Sequence, residues 1–337
     1  MNTERPPSPD LPEPTPGPSE PVEAGPSEPV EVSDWIQVQL PPARPKFQHR
    51  YRTHIILFVL TLVTMSMTDA FTLMWSALGS DVNPFVLFTW ETFRHGLWYA
   101  IPMLVILGAH EFGHYVYCRK HNVDATLPYF LPAPLPLTGT LGAVIRIREA
   151  FPSKRALFDI GIAGPIAGFV ALLPFLVAGV MMSEVLPKPP VSLSLGEPLL
   201  FQAVAKMIIG PLPAGHDVFL HPLGFAAWFG MLATALNLMP FGQLDGGHIT
   251  YAVFGRYAVY ASVATLSAAV FLTFRTGSWI AMTVMMVVMA LVLGVRHPRM
   301  VDEDSPLDPK RKWLAVVALI IFIVCFIPVP IEIFFKQ

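Results

Sequence analysis

The sequence predicts an all-α fold class: a polytopic transmembrane helical bundle of about seven spans, with a membrane-associated β-like loop between spans 2 and 3. Of the 337 residues, 53% are hydrophobic and 14% are charged, and the mean hydropathy is +0.54. An ordinary soluble domain carries about 25% charged residues. Apolar stretches of about 20 residues, long enough to cross the hydrocarbon core as helices, recur along the chain. One polar, proline-rich interruption is too irregular to be such a span.

Seven apolar stretches are predicted as membrane spans. The fifth and sixth are separated only by Arg275–Ser278, a turn signal that contains Gly277 and predicts a tight helical hairpin. The seven stretches cover residues 54–77, 96–117, 156–182, 222–239, 250–274, 278–295 and 313–331.

Lysine and arginine residues are distributed unevenly between the two sides of these spans. Such residues collect in the cytoplasmic loops of membrane proteins. If the N-terminus is cytoplasmic, the opposite side keeps only Arg94, Lys188, Lys206, Arg275 and Lys336. The sequence therefore predicts a multi-pass integral membrane protein with a cytoplasmic N-terminus and an external C-terminus. The expected location is a bacterial cytoplasmic (inner) membrane.

Residues 1–45 differ in composition from the rest of the chain. They hold 13 of the 35 prolines, and Pro18–Glu23 is repeated as Pro26–Glu31. A segment with so little apolar surface cannot offset its ordering entropy, so a disordered, Pro/Glu-rich cytoplasmic tail is predicted. A membrane domain over residues 46–300 follows, and residues 301–337 are predicted to be a cytoplasmic linker and a C-terminal transmembrane helix. The net charge of −2 argues against nucleic acid as a partner.

The segment between the second and third spans, residues 119–155, is too polar and too rich in proline to cross the membrane. Four prolines within Leu127–Pro136 exclude a helix there. Gly139–Ile147 is typical of a glycine turn followed by a short β-like stretch. Backbone of this kind is tolerated at membrane depth only against protein or a water-filled cavity.

His110-Glu111-Phe112-Gly113-His114 fits the zinc-binding pattern H-E-x-x-H. On a helix the two histidines lie on the same face, where each can offer a ring nitrogen to one zinc ion. Glu111 is placed to reach a water rather than the metal. A chance match is the alternative, but three ionisable groups in an apolar span would each cost about 2.5–3.5 kcal/mol near the bilayer centre.

Two histidines leave a catalytic zinc one protein ligand short. Asp245 is the predicted third ligand, because it follows the fourth span on the same side of the membrane, and Pro240 and Gly242 break the helix before it. The alternative role for Asp245 is to cap the fifth span. Glu149 and Glu184 are alternative third ligands, as in a different kind of zinc protease.

Other polar residues are weaker candidates. Asn237, eight residues before Asp245, is either a structural hydrogen-bonding residue or a group that holds the substrate or an oxyanion. Asp159, near the third span, is expected only to hydrogen-bond to its neighbours or to lie at the interface. Cys118 and Cys325 are far apart, so they make neither a disulfide framework nor a cysteine zinc site.

Two sets of residues resemble the site-2 protease family, the M50-type intramembrane zinc metalloproteases. The first set is His110–His114 with Asn237, Pro240 and Leu244–Gly247. The second set is similar to the chloroplast and bacterial branch that lacks a PDZ domain, and consists of Gly139–Ala143 within Tyr129–Arg148 and of Gly161–Gly168. The likeness covers roughly residues 95–250 and does not reach the tail or the last helices.

The resemblance implies roles for individual residues. His110, His114 and Asp245 would bind one zinc ion per chain, with Glu111 as the general base. Asn237 would help to hold the substrate backbone or the oxyanion. The Gly139–Ile147 segment would be the family's membrane-inserted β-loop, and its substrate-binding candidates are Gly139, Thr140 and Gly142. The chain departs from other members of the family in lacking a PDZ module. This departure puts in doubt whether a periplasmic filter gates its substrates.

The sequence thus predicts an intramembrane zinc metalloendopeptidase over residues 46–300. It would hydrolyse peptide bonds of membrane-anchored proteins within or near the cytoplasmic side of the membrane. Its partners would be a membrane-spanning protein substrate and the lipid bilayer, and the oligomeric state is not indicated. The alternatives are a catalytically inactive metal-binding scaffold, which would usually have lost Glu111 or a ligand, and a transporter, which would show internal repeats.

Overall fold

The computed structural model describes residues 45–76, 87–188, 191–294, 302 and 306–335. The predicted tail, residues 1–45, therefore lies outside the described residues except for Pro45. Within the described ranges the chain forms ten α-helices. They are α1 (Tyr51–Ser66), α2 (Thr68–Ser76), α3 (Trp90–Lys120), α4 (Lys154–Met181), α5 (Leu199–Ile208), α6 (Pro222–Asn237), α7 (Asp245–Phe254), α8 (Ala258–Arg275), α9 (Ile280–Leu293) and α10 (Pro309–Cys325).

The same ranges contain six short strands, which pair into three antiparallel two-stranded sheets: β1 with β2, β3 with β5, and β4 with β6. The predominance of helix confirms the predicted class, and the β1–β2 sheet confirms the predicted β-like loop. The other two sheets were not predicted. The strands are β1 (Tyr129–Pro132), β2 (Thr140–Val144), β3 (Glu184–Pro187), β4 (Val191–Leu195), β5 (His216–Phe219) and β6 (Ile331–Phe335).

The two longest helices, α3 and α4, begin at residues that can satisfy their free backbone N–H groups. The Thr89 hydroxyl accepts a hydrogen bond from Thr92 N at 3.1 Å and starts α3. Ser153 does the same for Ala156 N at 3.2 Å and starts α4. Such caps stabilise a helix start by about 1 kcal/mol. They set where the two helices that form the centre of the fold begin.

The structure bears on the number of membrane spans. Among the described residues, Lys154–Met181 and Asp245–Arg275 are long and apolar enough to cross a membrane, and the pair Tyr51–Ser66 and Thr68–Met74, bent by 57°, makes a third if it is one span. The predicted count of about seven is not confirmed by this measure. Helices α6, α9 and α10 have only 16, 14 and 17 residues, and the 31-residue α3 contains the polar residues of the zinc motif.

The core lies where α3, α4 and α6 pack together, with α1 against α3 and α10 against α4 and α6. Phe158, Leu172, Trp228 and Met231 are almost completely buried there. The predicted hairpin is confirmed, since α8 ends at Arg275 and α9 begins after a short 3-10 turn. This core holds α3 and α4 side by side and in opposite directions.

The two ends of the bundle differ in what they bring together. At the start of α4, Lys46 Nζ lies 2.9 Å from Glu149 Oε2, so the segment before α1 contacts the flank of the β1–β2 sheet. At the other end of α4, strand β6 pairs with β4 of the loop between α4 and α6. There Trp279 Nε1, at the turn between α8 and α9, donates to Pro328 O at 2.6 Å.

Candidate metal centre

Helix α3 places the two histidines of the predicted zinc motif on one buried face. His110 Nε2 and His114 Nε2 are 3.1 Å apart, and each residue is less than a tenth exposed. Residues four apart lie one above the other on a helix, so the spacing alone aligns the two rings. The site therefore forms inside the bundle and not on its surface.

Asp245, the first residue of α7, completes a cluster of three donor atoms. Its Oδ2 lies 3.1 Å from His110 Nε2 and 3.3 Å from His114 Nε2. The residue before α7 is Leu244, and no side chain caps this helix. The carboxylate of Asp245 is thus directed to the histidines and does not act as a helix cap. The structure brings together all three residues that the sequence singled out as ligands.

The geometry of this cluster fits a tetrahedral metal ion. Zinc held by imidazole and carboxylate at about 2.0–2.1 Å would place its ligand atoms about 3.3 Å from one another. The three donor atoms all lie within 4.8 Å of one another, and their closest separations are 3.1–3.3 Å. A carboxylate and two imidazole nitrogens are donors that suit zinc. In the part of the chain that the structure describes, this is the group of histidine, cysteine and acidic residues placed to hold a metal ion.

A backbone carbonyl orients the ring of His114. His114 Nδ1 lies 2.7 Å from Ile160 O of α4. Only a protonated Nδ1 can donate to a carbonyl, so the contact leaves the Nε2 lone pair directed to the cluster. Metal-ligating histidines nearly always make such a second hydrogen bond, which fixes both the tautomer and the ring orientation.

Glycines on α4 make room for the ligands. A Cβ at Gly164 would overlap the His114 ring, and one at Gly168 would lie 3.1 Å from His110 Cβ. At Gly161 it would lie 3.1 Å from His248 Cβ, at the start of α7. These glycines therefore allow close packing of α4, and two of them, Gly164 and Gly168, make room for the two histidine ligands.

Glu111 lies between the histidines in sequence and faces a different part of the structure. Its side chain is buried, and Oε2 accepts a hydrogen bond from Ile145 N at 2.8 Å. Ile145 directly follows β2, so the β1–β2 sheet supplies the donor. The carboxylate is held in one orientation by a backbone group of the predicted β-loop.

The predicted substrate-binding residues lie in different surroundings. Asn237 Nδ2 is 3.4 Å from His110 Nε2, beside the cluster. Gly139, with φ +64°, lies so close to the backbone of α1 that a Cβ would clash with Met65. The Thr140 hydroxyl is used within the loop, since it donates to Leu131 O at 2.7 Å. Gly142 has φ +100° and open space where a Cβ would point.

The alternative third ligands lie outside the cluster. Glu149 Oε2 forms an ion pair with Lys46 Nζ at 2.9 Å, and this hydrogen bond lowers the pKa of Glu149. Glu184 belongs to the exposed strand β3, beyond the far end of α4. Cys118 and Cys325 are buried as free thiols. The donor atoms around His110 and His114 therefore favour Asp245.

Two groups of the site were missed by the sequence reasoning: the N–H of Ile145 and the carbonyl of Ile160. Both are backbone groups: every residue has a backbone carbonyl, and every residue except proline has a backbone N–H. No side-chain pattern distinguishes them, and only the packing of the β-loop and of α4 against α3 reveals them.

Comparison with known proteins agrees with this site. The model of "Peptidase family M50" matches residues 98–277, a range that contains all three donor residues and Glu111. The chain is similar to "Probable zinc metalloprotease EGY2, chloroplastic" of Arabidopsis thaliana, with 28% identity over 71% of this chain and 43% of that one. It is also similar to "Probable zinc metallopeptidase EGY3, chloroplastic" of the same plant, with 28% identity over 86% of this chain and 51% of that one.

A rice relative, "Probable zinc metalloprotease EGY1, chloroplastic" of Oryza sativa subsp. japonica, is 33% identical over 48% of this chain and 28% of its own length. The chain spans about half, or less, of the length of the relatives it matches. No solved structure matches it. The resemblance inferred from the motifs is confirmed by the family match over more than half of the chain: the protein belongs to peptidase family M50, the site-2 protease family.

Proposed function

We propose that this protein is an intramembrane zinc metalloprotease that hydrolyses peptide bonds of membrane-anchored proteins within or near the cytoplasmic side of the membrane. The observation that carries the proposal is the buried cluster of His110 Nε2, His114 Nε2 and Asp245 Oδ2. Glu111 lies on α3, the helix that carries the two histidines. These three residues would hold one zinc ion per chain. Membership of a peptidase family and the names of the relatives support the same activity.

A zinc ion bound there would supply Lewis-acid activation of a water molecule and of the scissile carbonyl. Glu111 would remove the proton of the attacking water and deliver it to the leaving amine. The hydrogen bond from Ile145 N–H supports this role. It occupies one oxygen of the Glu111 carboxylate and fixes the orientation of the carboxylate group, so that the second oxygen would accept the proton. Asn237, whose Nδ2 lies 3.4 Å from His110 Nε2, would donate to the substrate carbonyl or the oxyanion.

The β1–β2 sheet would hold the substrate in an extended form. A transmembrane helix hides its peptide carbonyls in hydrogen bonds, so it must unwind before attack, and an added strand is a common way to hold unwound peptide. Strand β2 pairs with β1 on one side. Ile145 N–H points away from β1 and toward Glu111. A substrate strand added along the edge of β2 opposite β1 would therefore lie beside the general base. Gly142, with open space beside it, would allow close approach of a substrate backbone.

Seven spans with a cytoplasmic N-terminus remain our proposal for the topology. The loop between α4 and α6, the α8–α9 turn and strand β6 are joined at one end of the bundle, as the seven-span arrangement requires. Large apolar side chains face outward on the peripheral helices, with Phe274 84% exposed and Leu291 81% exposed. Apolar surface of this extent suits contact with lipid. A bacterial inner membrane stays a prediction, and the relatives named above are chloroplast proteins.

The test uses the purified full chain in proteoliposomes with a panel of single-span membrane-anchored proteins. Zinc content and cleavage would be measured for wild type, Glu111→Gln and Asp245→Ala. We expect Glu111→Gln to keep zinc and to lose at least about 10²-fold in cleavage rate, because it cannot accept the proton. Asp245→Ala should lose zinc. Glu149→Gln, outside the cluster, should keep both properties.

The outcomes separate the alternatives. Cleavage that survives in Glu111→Gln would exclude the proposed mechanism, and normal zinc content in Asp245→Ala would remove that residue from the ligands. Wild type that binds zinc and cleaves nothing would favour a scaffold, whereas zinc accumulation inside the vesicles would favour a transporter. Mass spectrometry of the products locates the cleaved bond relative to the cytoplasmic end of the substrate span.

A further inference from the structure

A second polar cluster lies about two turns of α3 beyond the metal centre, at the start of α4. Asp159 of α4 is buried, and its two oxygens accept hydrogen bonds from the guanidinium of Arg311 at 2.8 and 2.6 Å. His121 Nε2, at the end of α3, lies 2.9 Å from Asp159 Oδ2. One carboxylate therefore joins three helices: α3, α4 and α10.

The ion pair between Asp159 and Arg311 is bidentate, so it restrains the relative position of the two side chains in addition to neutralising their charges. A guanidinium that donates two parallel hydrogen bonds to one carboxylate fixes both the distance and the angle between the groups. The Asp159 and Arg311 side chains are only 10% and 21% exposed, so water screens the pair weakly. Arg311 also donates a hydrogen bond from Nη1 to Asp308 Oδ2 at 3.1 Å. Asp308 is the residue that caps the start of α10.

The next residue along α4 contacts a metal ligand. The carbonyl of Ile160 accepts the hydrogen bond from His114 Nδ1 at 2.7 Å. Gly164, one turn later, lies directly against the His114 ring. A small rotation or shift of α4 relative to α3 would therefore move both groups that set the orientation of this ring.

The Asp159 cluster adds a polar contact to the apolar packing of α3 against α4. At Gly113 the two backbones lie close together, since a Cβ there would clash with Ala163 O, and small residues allow this approach without interlocking side chains at that point. The link from His121 to Asp159 is a polar contact of defined direction at the same helix pair. It restrains sliding of the two helices, in addition to the fit of the histidine rings against Gly164 and Gly168.

We propose that Asp159 and Arg311 are positioning residues of the metal centre: their ion pair fixes the start of α4 so that the Ile160 carbonyl holds the His114 ring in the orientation that binds metal. This inference rests on the proposed zinc site, and it adds a part of the chain that the family match does not include, since that match ends at residue 277. Helix α10 then belongs functionally to the metal centre.

The test measures zinc affinity separately from proteolysis. Purified full-length protein would be stripped of metal and titrated with Zn²⁺ against a chelator of known affinity. We expect Asp159→Asn and Arg311→Gln each to weaken zinc binding about tenfold, the lower end of the effect seen when the partners of metal ligands are removed. The double variant should lose no more than the larger single variant, because both act through one ion pair.

A spectroscopic measurement reports the ring orientation. Co²⁺ bound in place of Zn²⁺ absorbs visible light according to its coordination geometry, so Asp159→Asn and Arg311→Gln should alter this spectrum. Arg311→Lys, which keeps the charge but not the bidentate geometry, should lie between Arg311→Gln and wild type. Asp159→Glu tests whether a carboxylate at this position restores part of the affinity.

Trp279→Phe is the matched control, because it removes the hydrogen bond to Pro328 O just beyond the other end of α10. It should lower the melting temperature and leave both zinc affinity and the Co²⁺ spectrum unchanged. Folded Asp159→Asn and Arg311→Gln with wild-type zinc affinity would overturn the inference, as would an equal loss in Trp279→Phe. If wild type binds no zinc, the metal site and this inference both fail. If wild type binds zinc but cleaves nothing, only the proposed proteolysis fails.

Discussion

The α3–α4 contact and the β1–β2 sheet lie on two sides of Glu111 and are built in different ways. On the first side, side chains meet: two histidine rings fit against the glycines of α4, and Asp245 reaches them from α7. On the second side the contact is made by backbone, the N–H of Ile145. In the proposed mechanism the first side holds the metal, and the second holds and orients an extended peptide.

This difference has a consequence for how each side tolerates change. Close-packed interiors respond to a single added carbon, because neighbouring atoms cannot move apart without strain. A backbone donor such as Ile145 N–H is insensitive to most side-chain changes and sensitive to the loss of the N–H. Substitutions at the α4 glycines should therefore affect metal binding, and loss of the Ile145 N–H should affect catalysis.

The largest effect is expected at Gly164. In Gly164→Ala the new Cβ overlaps the His114 ring, so the ring or the helix must move and zinc affinity should fall by about a hundredfold. Gly168→Ala is the matched control, because its Cβ would lie 3.1 Å from His110 Cβ, a milder contact. Chelator competition measures both. Equal zinc affinities for the two variants would contradict the described packing of the rings.

A smaller effect, of the opposite kind, is expected at Ile145. Ile145→Pro removes the N–H that donates to Glu111, so cleavage should fall about tenfold while zinc affinity stays within a factor of two. Ile145→Val keeps the N–H and should retain wild-type cleavage. Loss of zinc from Ile145→Pro would show that the two sides of Glu111 are not separable.

The smallest effect concerns the flank of the β1–β2 sheet. The hydrogen bond from Lys46 holds the pKa of Glu149 below its usual value, so the pair stabilises the folded state above the unfolded pKa of about 4.3. That stability is lost as the pH falls through the folded pKa. Glu149→Gln should lower stability at pH 7 by about 0.5 kcal/mol or less, because the pair is partly exposed.

Melting temperatures of wild type and Glu149→Gln, measured from pH 7 down to pH 3, check the sign. The difference between them should shrink toward zero below about pH 4. A difference that grows in acid would mean that Glu149 is more stable in its protonated form when the protein is folded. Zinc affinity at pH 7 should be the same in both proteins.

The candidate ligands could be named from the sequence because the type and spacing of their side chains make each of them recognisable. His110 and His114 are four residues apart on a predicted helix, and Asp245 follows a break made by Pro240 and Gly242. The structure confirms that these residues meet. The short β-loop was predicted as well, because glycines and prolines exclude helix there. The outer sheets were missed: β6 pairs with β4, more than a hundred residues away, and no local pattern encodes such a partner.

Asp159 shows the limit of sequence reasoning most clearly. From the sequence it is an acidic residue near a span, expected to do no more than hydrogen-bond to its neighbours. Its partners Arg311 and His121 are 152 and 38 residues away, and only the packing of α10 and α3 against α4 brings them to one carboxylate.

The sequence by itself determined the helical character and the presence of a β-like loop, and it named His110, His114 and Asp245 as candidate donors, because composition, periodicity and residue chemistry are local properties. The tertiary structure alone decided which backbone groups orient His114 and Glu111, and which distant side chains hold α4 in place. Those contacts depend on how helices far apart in sequence approach one another, and that approach is set by the packing of the whole core.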